Sequence, residues 1–110
     1  MPKKPPTTTL GQAIIAARKL RGMSQKDLAA AVQKVDGTGS ISPQYLNDIE
    51  HDRRSPTSDE LIKEIARALD QNPDDFFVLA GKIPDDLRTA SADSATRIKA
   101  FKAFRKALTK

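Results

Sequence analysis

Ser42-Pro43-Gln44-Tyr45-Leu46-Asn47-Asp48-Ile49-Glu50-His51-Asp52-Arg53-Arg54 is the stretch on which the fold turns. Serine is a preferred helix N-cap, and proline suits the first helical position, where its missing N–H costs nothing. Leu46 and Ile49 point one way from the resulting helix, while Gln44, Tyr45, Asn47 and Asp48 cover its other faces. The helix should end near His51 or Asp52, with Arg53 and Arg54 just beyond. One narrow apolar stripe cannot stand alone, so the flanking chain must supply elements that bury it.

Those elements are legible on both sides. Upstream, Leu10, Ile14 and Ala17 share one helical face, with Ile15 and Leu20 widening the stripe, and Gly22 is placed to end the helix in a left-handed conformation. Ser24 and Asp27 form a capping-box pattern for a second helix with Leu28, Ala29 and Val32 inside and room to run on to Val35. Asp36-Gly37-Thr38-Gly39-Ser40 reads as a loop. Downstream, Thr57 as cap and Glu60 as its reciprocal partner start a fourth helix, lined by Leu61, Ile62, Ile65, Ala66 and Leu69. Asn72-Pro73-Asp74-Asp75 starts a fifth, buried through Phe76, Phe77 and Leu79 and stopped by Gly81. No stretch reads as a strand. The expected organisation is a flexible basic arm over residues 1–9, a five-helix domain over 10–81, a linker over 82–92 with one turn after Pro84, and a C-terminal helix within 93–110.

Composition narrows the function classes. The 110 residues contain no cysteine, which excludes disulfides and thiolate metal sites. The longest apolar runs are too short to span a membrane, and the two N-terminal lysines precede no apolar stretch, so the expectation is a soluble cytoplasmic protein. Net charge is +5. Segment by segment it is +5 over residues 1–22, −1 over 23–56, −4 over 57–89 and +5 over 90–110. Basic ends around an acidic middle suggest a polyanionic partner, although a solvated surface with a basic tail gives the same balance. Enzyme chemistry finds no support. There is no cysteine nucleophile, no histidine paired with a serine motif, and no glycine-rich phosphate loop. His51 is the single histidine, so no metal or other cofactor is expected. Asp74-Asp75 and Asp85-Asp86 follow prolines at helix starts, where carboxylates favour the dipole.

The ordered series Leu10-Gly11, Arg18, Gly22-Met23-Ser24-Gln25, Leu28-Ala29, Tyr45-Leu46-Asn47-Asp48-Ile49-Glu50, Arg53-Arg54, Pro56, Leu61, Ile65-Ala66 and Leu69 resembles the phage Cro/repressor-type helix-turn-helix family, also called XRE, over about residues 10–81. The resemblance implies an all-α, lambda-repressor-like domain of five helices, here with an appended C-terminal helix. It implies a DNA-binding transcriptional regulator, a repressor of operator DNA acting as a homodimer. Arg18 and Glu50 match an ion pair that joins the first helix to the third. Ser24 and Gln25 match positions that meet phosphate at a helix N-terminus. Pro43, Gln44 and Asp48 match positions that read bases.

Side-chain chemistry refines these roles. Gln44 can pair with adenine through its amide, and Asn47 can do so if its angle allows. Pro43 offers apolar contact to a thymine methyl, and Tyr45 can touch sugar, methyl or phosphate. Asp48 can accept from a cytosine amino group but repels phosphate. Asp48 and Asp52 also suit solvated or arginine-orienting positions. Ser42, Arg53 and Arg54 suit phosphate, which fixes register without reading sequence. The alternative reading is an antitoxin or co-regulator of the same fold that works mainly through protein contact.

The chain departs from the family in two places. Eight residues, Gln33 to Ser40, separate Val32 from Ile41 where the family has a very short turn. An extra turn of the second helix plus a glycine loop would absorb them, leaving the third helix in its usual orientation. The second departure is the tail. Ile98, Phe101, Phe104 and Leu108 gather on one side of its helix, and Lys99, Lys102, Lys106 and Lys110 on another. The apolar side is expected to pack on the domain, on a second subunit or on a protein partner rather than on a membrane.

Overall fold

Capping chemistry sets where each helix begins. The computed structural model describes residues 8–88 and 93–109. Helix α1 spans Leu10–Leu20, α2 Gln25–Ala31, α3 Pro43–Glu50, α4 Asp59–Ala68, α5 Pro73–Leu79, α6 Asp85–Arg88 and α7 Ser94–Leu108. The all-helical class is as expected, and α6 is the turn expected after Pro84. The arm with Lys3 and Lys4 lies outside the described residues.

Thr9 and Gln12 close a capping box at α1, each accepting from the other's backbone N–H at 3.1 Å. Ser24 and Asp27 do the same at α2, at 3.0 and 3.1 Å. Ser42 Oγ accepts from Tyr45 N at 3.0 Å ahead of Pro43. Each cap satisfies N–H groups that have no partner inside the helix. The fourth helix departs by one residue from its expected start. Ser58, not Thr57, caps α4, accepting from Leu61 N at 3.1 Å. At the other end of α1, Gly22 adopts φ 68°, and the Met23 N–H reaches back to the Arg18 carbonyl at 3.0 Å.

The expected extension of the second helix does not form. Val32 turns extended, at φ −101° and ψ 114°, and the inserted residues fold back as a small antiparallel hairpin bridged at Gln33 and Ser40. Ile41 N donates to the Val32 carbonyl at 3.0 Å and Lys34 N to the Gly39 carbonyl at 2.7 Å. Asp36 Oδ1 closes the tip by accepting from the Thr38 N–H and hydroxyl, which holds its carboxyl below the usual carboxylate range. Val32 and Ile41, at the two roots, are both buried. Burial explains the outcome. A helix running on past Val32 would have carried Val35 with it, whereas the hairpin brings Val32 and Ile41 into the core together and leaves Val35 outside.

The core is built from Ile14, Leu28, Val32, Leu46, Ile49, Ile62, Ile65, Leu69, Phe76 and Phe77. Helix α4 packs on α5, and α1 and α2 both pack on α3. At about 1.5–3 kcal/mol per buried large apolar side chain, this is the main term opposing chain entropy. One expectation about an apolar face fails. Leu20 is 84 % exposed rather than part of the α1 stripe. Helix α7 buries no residue. Its Ile98, Phe101, Phe104 and Leu108 remain 43–67 % exposed, so packing on the domain, one of the three expected alternatives, is not seen among the described residues. Arg97 and Arg105 interrupt that apolar arc, which suits it poorly to a dry core.

Candidate nucleic-acid interface

Helix α3 is fixed from inside by two polar contacts and one glycine. Arg18 on α1 and Glu50 on α3 form a bidentate pair, Nε to Oε2 at 2.7 Å and Nη2 to Oε1 at 3.1 Å. The Glu50 side chain is fully buried and Arg18 nearly so. Two further bonds complete the desolvated group. Arg18 Nη1 donates to the Met23 carbonyl at 3.0 Å, and Gln25 Nε2 donates to Glu50 Oε1 at 2.8 Å. A buried carboxylate is tolerable only when satisfied in this way.

The glycine is Gly11. A Cβ there would overlap the Glu50 carbonyl oxygen and lie 2.6 Å from that of Ile49. Backbone contact this close brings the start of α1 against the end of α3. Asp52, in the left-handed region at φ 60°, then reaches across. Its Oδ1 accepts from Gly11 N at 3.1 Å and its Oδ2 from the Thr9 hydroxyl at 2.7 Å. Asp52 stays exposed, as expected, and also caps α1 from a distance, while the arginines turn to Asp48. The expected boundaries leave this joint out and place Thr9 in the arm; a glycine inside an amphipathic helix and the capping-box spacing of Thr9 and Gln12 are the marks that could have revealed it.

The outer side of α3 is polar. Ser42, Pro43 and Gln44 are exposed at its N-terminal end, and Asn47 and Asp48 are half-buried further along. Asp48 collects the nearby donors. Its Oδ1 accepts from Gln44 Nε2 and Arg53 Nε, both at 3.1 Å, and Arg54 Nε lies 3.6 Å from Oδ2. Asn47 Oδ1 accepts from Arg53 Nη2 at 2.7 Å, while its Nδ2 donates to Gln25 Oε1 at 3.3 Å. His51 Nδ1 lies 2.9 Å from the Asn47 carbonyl oxygen at the exposed helix end.

The expected site residues thus divide. Gln44, Asp48, Arg53 and Arg54 share one surface around the Asp48 carboxylate, with Pro43 and Ser42 exposed at the N-terminal end of the same helix. Ser24 is exposed at the N-terminus of α2. Gln25, expected to meet phosphate, has both ends of its amide engaged by Glu50 and Asn47, because it sits where α2 crosses α3. Tyr45, expected to contact DNA, packs against the core. Its hydroxyl is buried without a hydrogen-bond partner, and the Arg54 guanidinium lies 5.7 Å from its ring centroid. The ring thereby steadies Arg54 through a cation–π contact.

Elsewhere, Arg67 ties α4 to α2. It bonds Glu64 at 2.8 and 3.1 Å and the Ala31 carbonyl at 3.3 Å. The Glu64 hydrogen bond raises the Arg67 pKa, and the Arg67 bond lowers that of Glu64. Among the described residues no group of His, Asp and Glu side chains could hold a metal ion, and no helix is long and apolar enough to cross a membrane.

A family model described as helix-turn-helix matches residues 14–76, more than half of the chain. No curated protein and no solved structure shows significant similarity to it. The matched segment runs from the core of α1 through the α2–α3 pair to Phe76, and so contains both halves of the Arg18–Glu50 pair and the whole polar face of α3. The chain belongs to the Cro/XRE-type helix-turn-helix family of DNA-binding regulators.

Proposed function

We propose that the protein is a transcriptional repressor that binds a pseudo-palindromic operator as a homodimer, with the N-terminal end of α3 in the major groove. One observation carries the reading. The turn Ser42-Pro43-Gln44 is exposed at the capped start of a helix whose other side is fixed by Arg18, Glu50 and Gly11. A rigidly aimed, exposed polar helix end is what base readout needs. Gln44 is the principal base-reading residue, pairing with adenine, and Pro43 supplies apolar contact to a thymine methyl. Arg53, Arg54, Ser42 and Ser24 contact phosphate, with the free N–H groups of α2 beside Ser24. Gln25 and Asn47 act by positioning α3, and Tyr45 by supporting Arg54.

Two recognition helices of a dimer would enter successive major grooves ~34 Å apart. The apolar side of α7 is available for contact between subunits. Selection of bound sequences from a random DNA pool tests the reading. A palindromic motif with half-sites one helical turn apart is expected, and an unstructured pool after repeated rounds would refute it.

The same α7 surface favours a second reading, an antitoxin or co-regulator whose main partner is a protein. A mobility shift on random duplex across a salt series separates the two. The repressor reading expects retardation that weakens linearly in log salt, and the protein-partner reading expects little at any salt.

A further inference from the structure

We propose that Asp48 sets how strictly the interface discriminates between DNA sequences, by holding its cations and its base-reading amide in reserve; this rests on the DNA-binding reading above. One carboxylate, 20 % exposed, engages Arg53 and Arg54, whose side chains are 55 and 61 % exposed. The same Oδ1 that accepts from Arg53 also accepts from Gln44. The backbone enforces the cluster. The N–H groups of Arg53 and Arg54 both donate to the Asp48 carbonyl, at 2.9 and 3.3 Å, which folds the two arginines back over residue 48. Asn47 adds a second acceptor for Arg53.

The consequence differs between DNA sequences. On an arbitrary duplex, Asp48 enters a field of phosphates that offers no donor to replace Gln44 and the arginines. Each arginine must then leave a carboxylate to reach a phosphate, an exchange of one anion for another with little net gain. On a site that presents a cytosine amino group opposite residue 48, the carboxylate finds a donor. Gln44 is then released to its adenine, and Arg53 and Arg54 to phosphate. The unfavourable term therefore falls mainly on wrong sequences, which is how a repulsive element raises specificity.

The test compares the full chain with Asp48→Asn and Asp48→Ser on two probes: a duplex selected by the wild type and a duplex of random sequence. Melting temperatures confirm that the variants fold. Asp48→Asn should bind the random duplex about tenfold more tightly, equivalent to roughly 1.4 kcal/mol, and the selected duplex no more tightly. Its salt slope on the random duplex should steepen by about 1–2, one increment per arginine released. A pool selected by the variant should lose one specified cytosine. If the wild type binds both probes and the folded variants match it in affinity, slope and motif, the inference falls while the DNA-binding reading stands. Folded variants that lose binding to both probes would also overturn it, because Asp48 would then be a supporting contact. A wild type that binds no duplex at low salt would overturn both.

Discussion

The two faces of α3 differ in how their polar groups are used. Inside, Glu50 is fully buried and meets two partners in a fixed geometry, Arg18 and Gln25. Outside, Asp48 also meets several donors, but it and the arginines around it remain in contact with water. The same chemical group therefore serves two purposes about 3 Å apart along the axis of one helix, two residues at about 1.5 Å rise each. The buried carboxylate fixes where the helix points. The exposed one can be exchanged for another anion when a ligand arrives. Burial, not residue type, decides which role a carboxylate takes.

Breaking the inner face should have the largest effect. Arg18→Ala leaves Glu50 charged and buried and should cost about 3–5 kcal/mol of stability, measured by urea unfolding. A loss under about 1 kcal/mol would mean that the pair does not hold α3. Next, Gly11→Ala drives a methyl into the Glu50 and Ile49 carbonyls and should cost about 1–3 kcal/mol, while also weakening DNA binding because α3 shifts. On the outer face the pattern should invert. Gln44→Ala should leave stability within about 0.5 kcal/mol yet remove about 1–3 kcal/mol of discrimination at one base pair, read by competition between point-substituted duplexes. Arg53→Ala should weaken the selected duplex and its variants substituted at the Gln44 base pair by the same factor, lowering the salt slope there by about 0.9, with a smaller loss on random duplex, where Asp48 already holds the arginine. Identical behaviour of these two variants would erase the distinction between reading and holding.

The smallest effect concerns pH. Asp36, Glu64 and Asp93 all have lowered pKa values, chiefly through side-chain hydrogen bonds from Thr38, Arg67 and Thr96 respectively. A lowered carboxyl stabilises the folded form above its ordinary value and loses that contribution as pH falls through the lowered one. Those ordinary values are 3.8 for Asp and 4.5 for Glu. Because the groups lie at the surface, unfolding curves should change only slightly on this account as the pH falls below that range. A steep loss between pH 5 and 7 would point to another titrating group.

Much of the inner face was legible in the sequence. Ser24, Ser42 and Asn72 cap where they were expected to, because a small polar residue ahead of an apolar-periodic run has few other uses. The α4 cap was missed by one residue, since Thr57 and Ser58 are both competent and only the backbone angles choose between them. The hairpin at 33–40 was missed because Leu28, Ala29 and Val32 have helical spacing, and the pairing of Gln33 with Ser40 leaves no local mark. On the outer face the residues were identified, but their partners were not. Gln25 and Asn47 looked like free amides, yet each bridges helices. Asp52 is the surface charge it looked like, but its bond to the start of α1 left no sign in the sequence. Contacts between residues more than twenty apart are set by how the helices cross, which periodicity does not encode.

The Gly11 joint has a consequence for how this chain can change length. Helix α3 is anchored at its C-terminal end, where Gly11, Asp52 and the Arg18–Glu50 pair all act. Its N-terminal connection does not carry the aiming. That connection can therefore be lengthened, at about 0.6 kcal/mol per doubling of a flexible loop, without turning the helix, so long as Val32 and Ile41 stay in the core. The inserted hairpin lies at the end of the connection that is remote from the joint fixing the direction of α3.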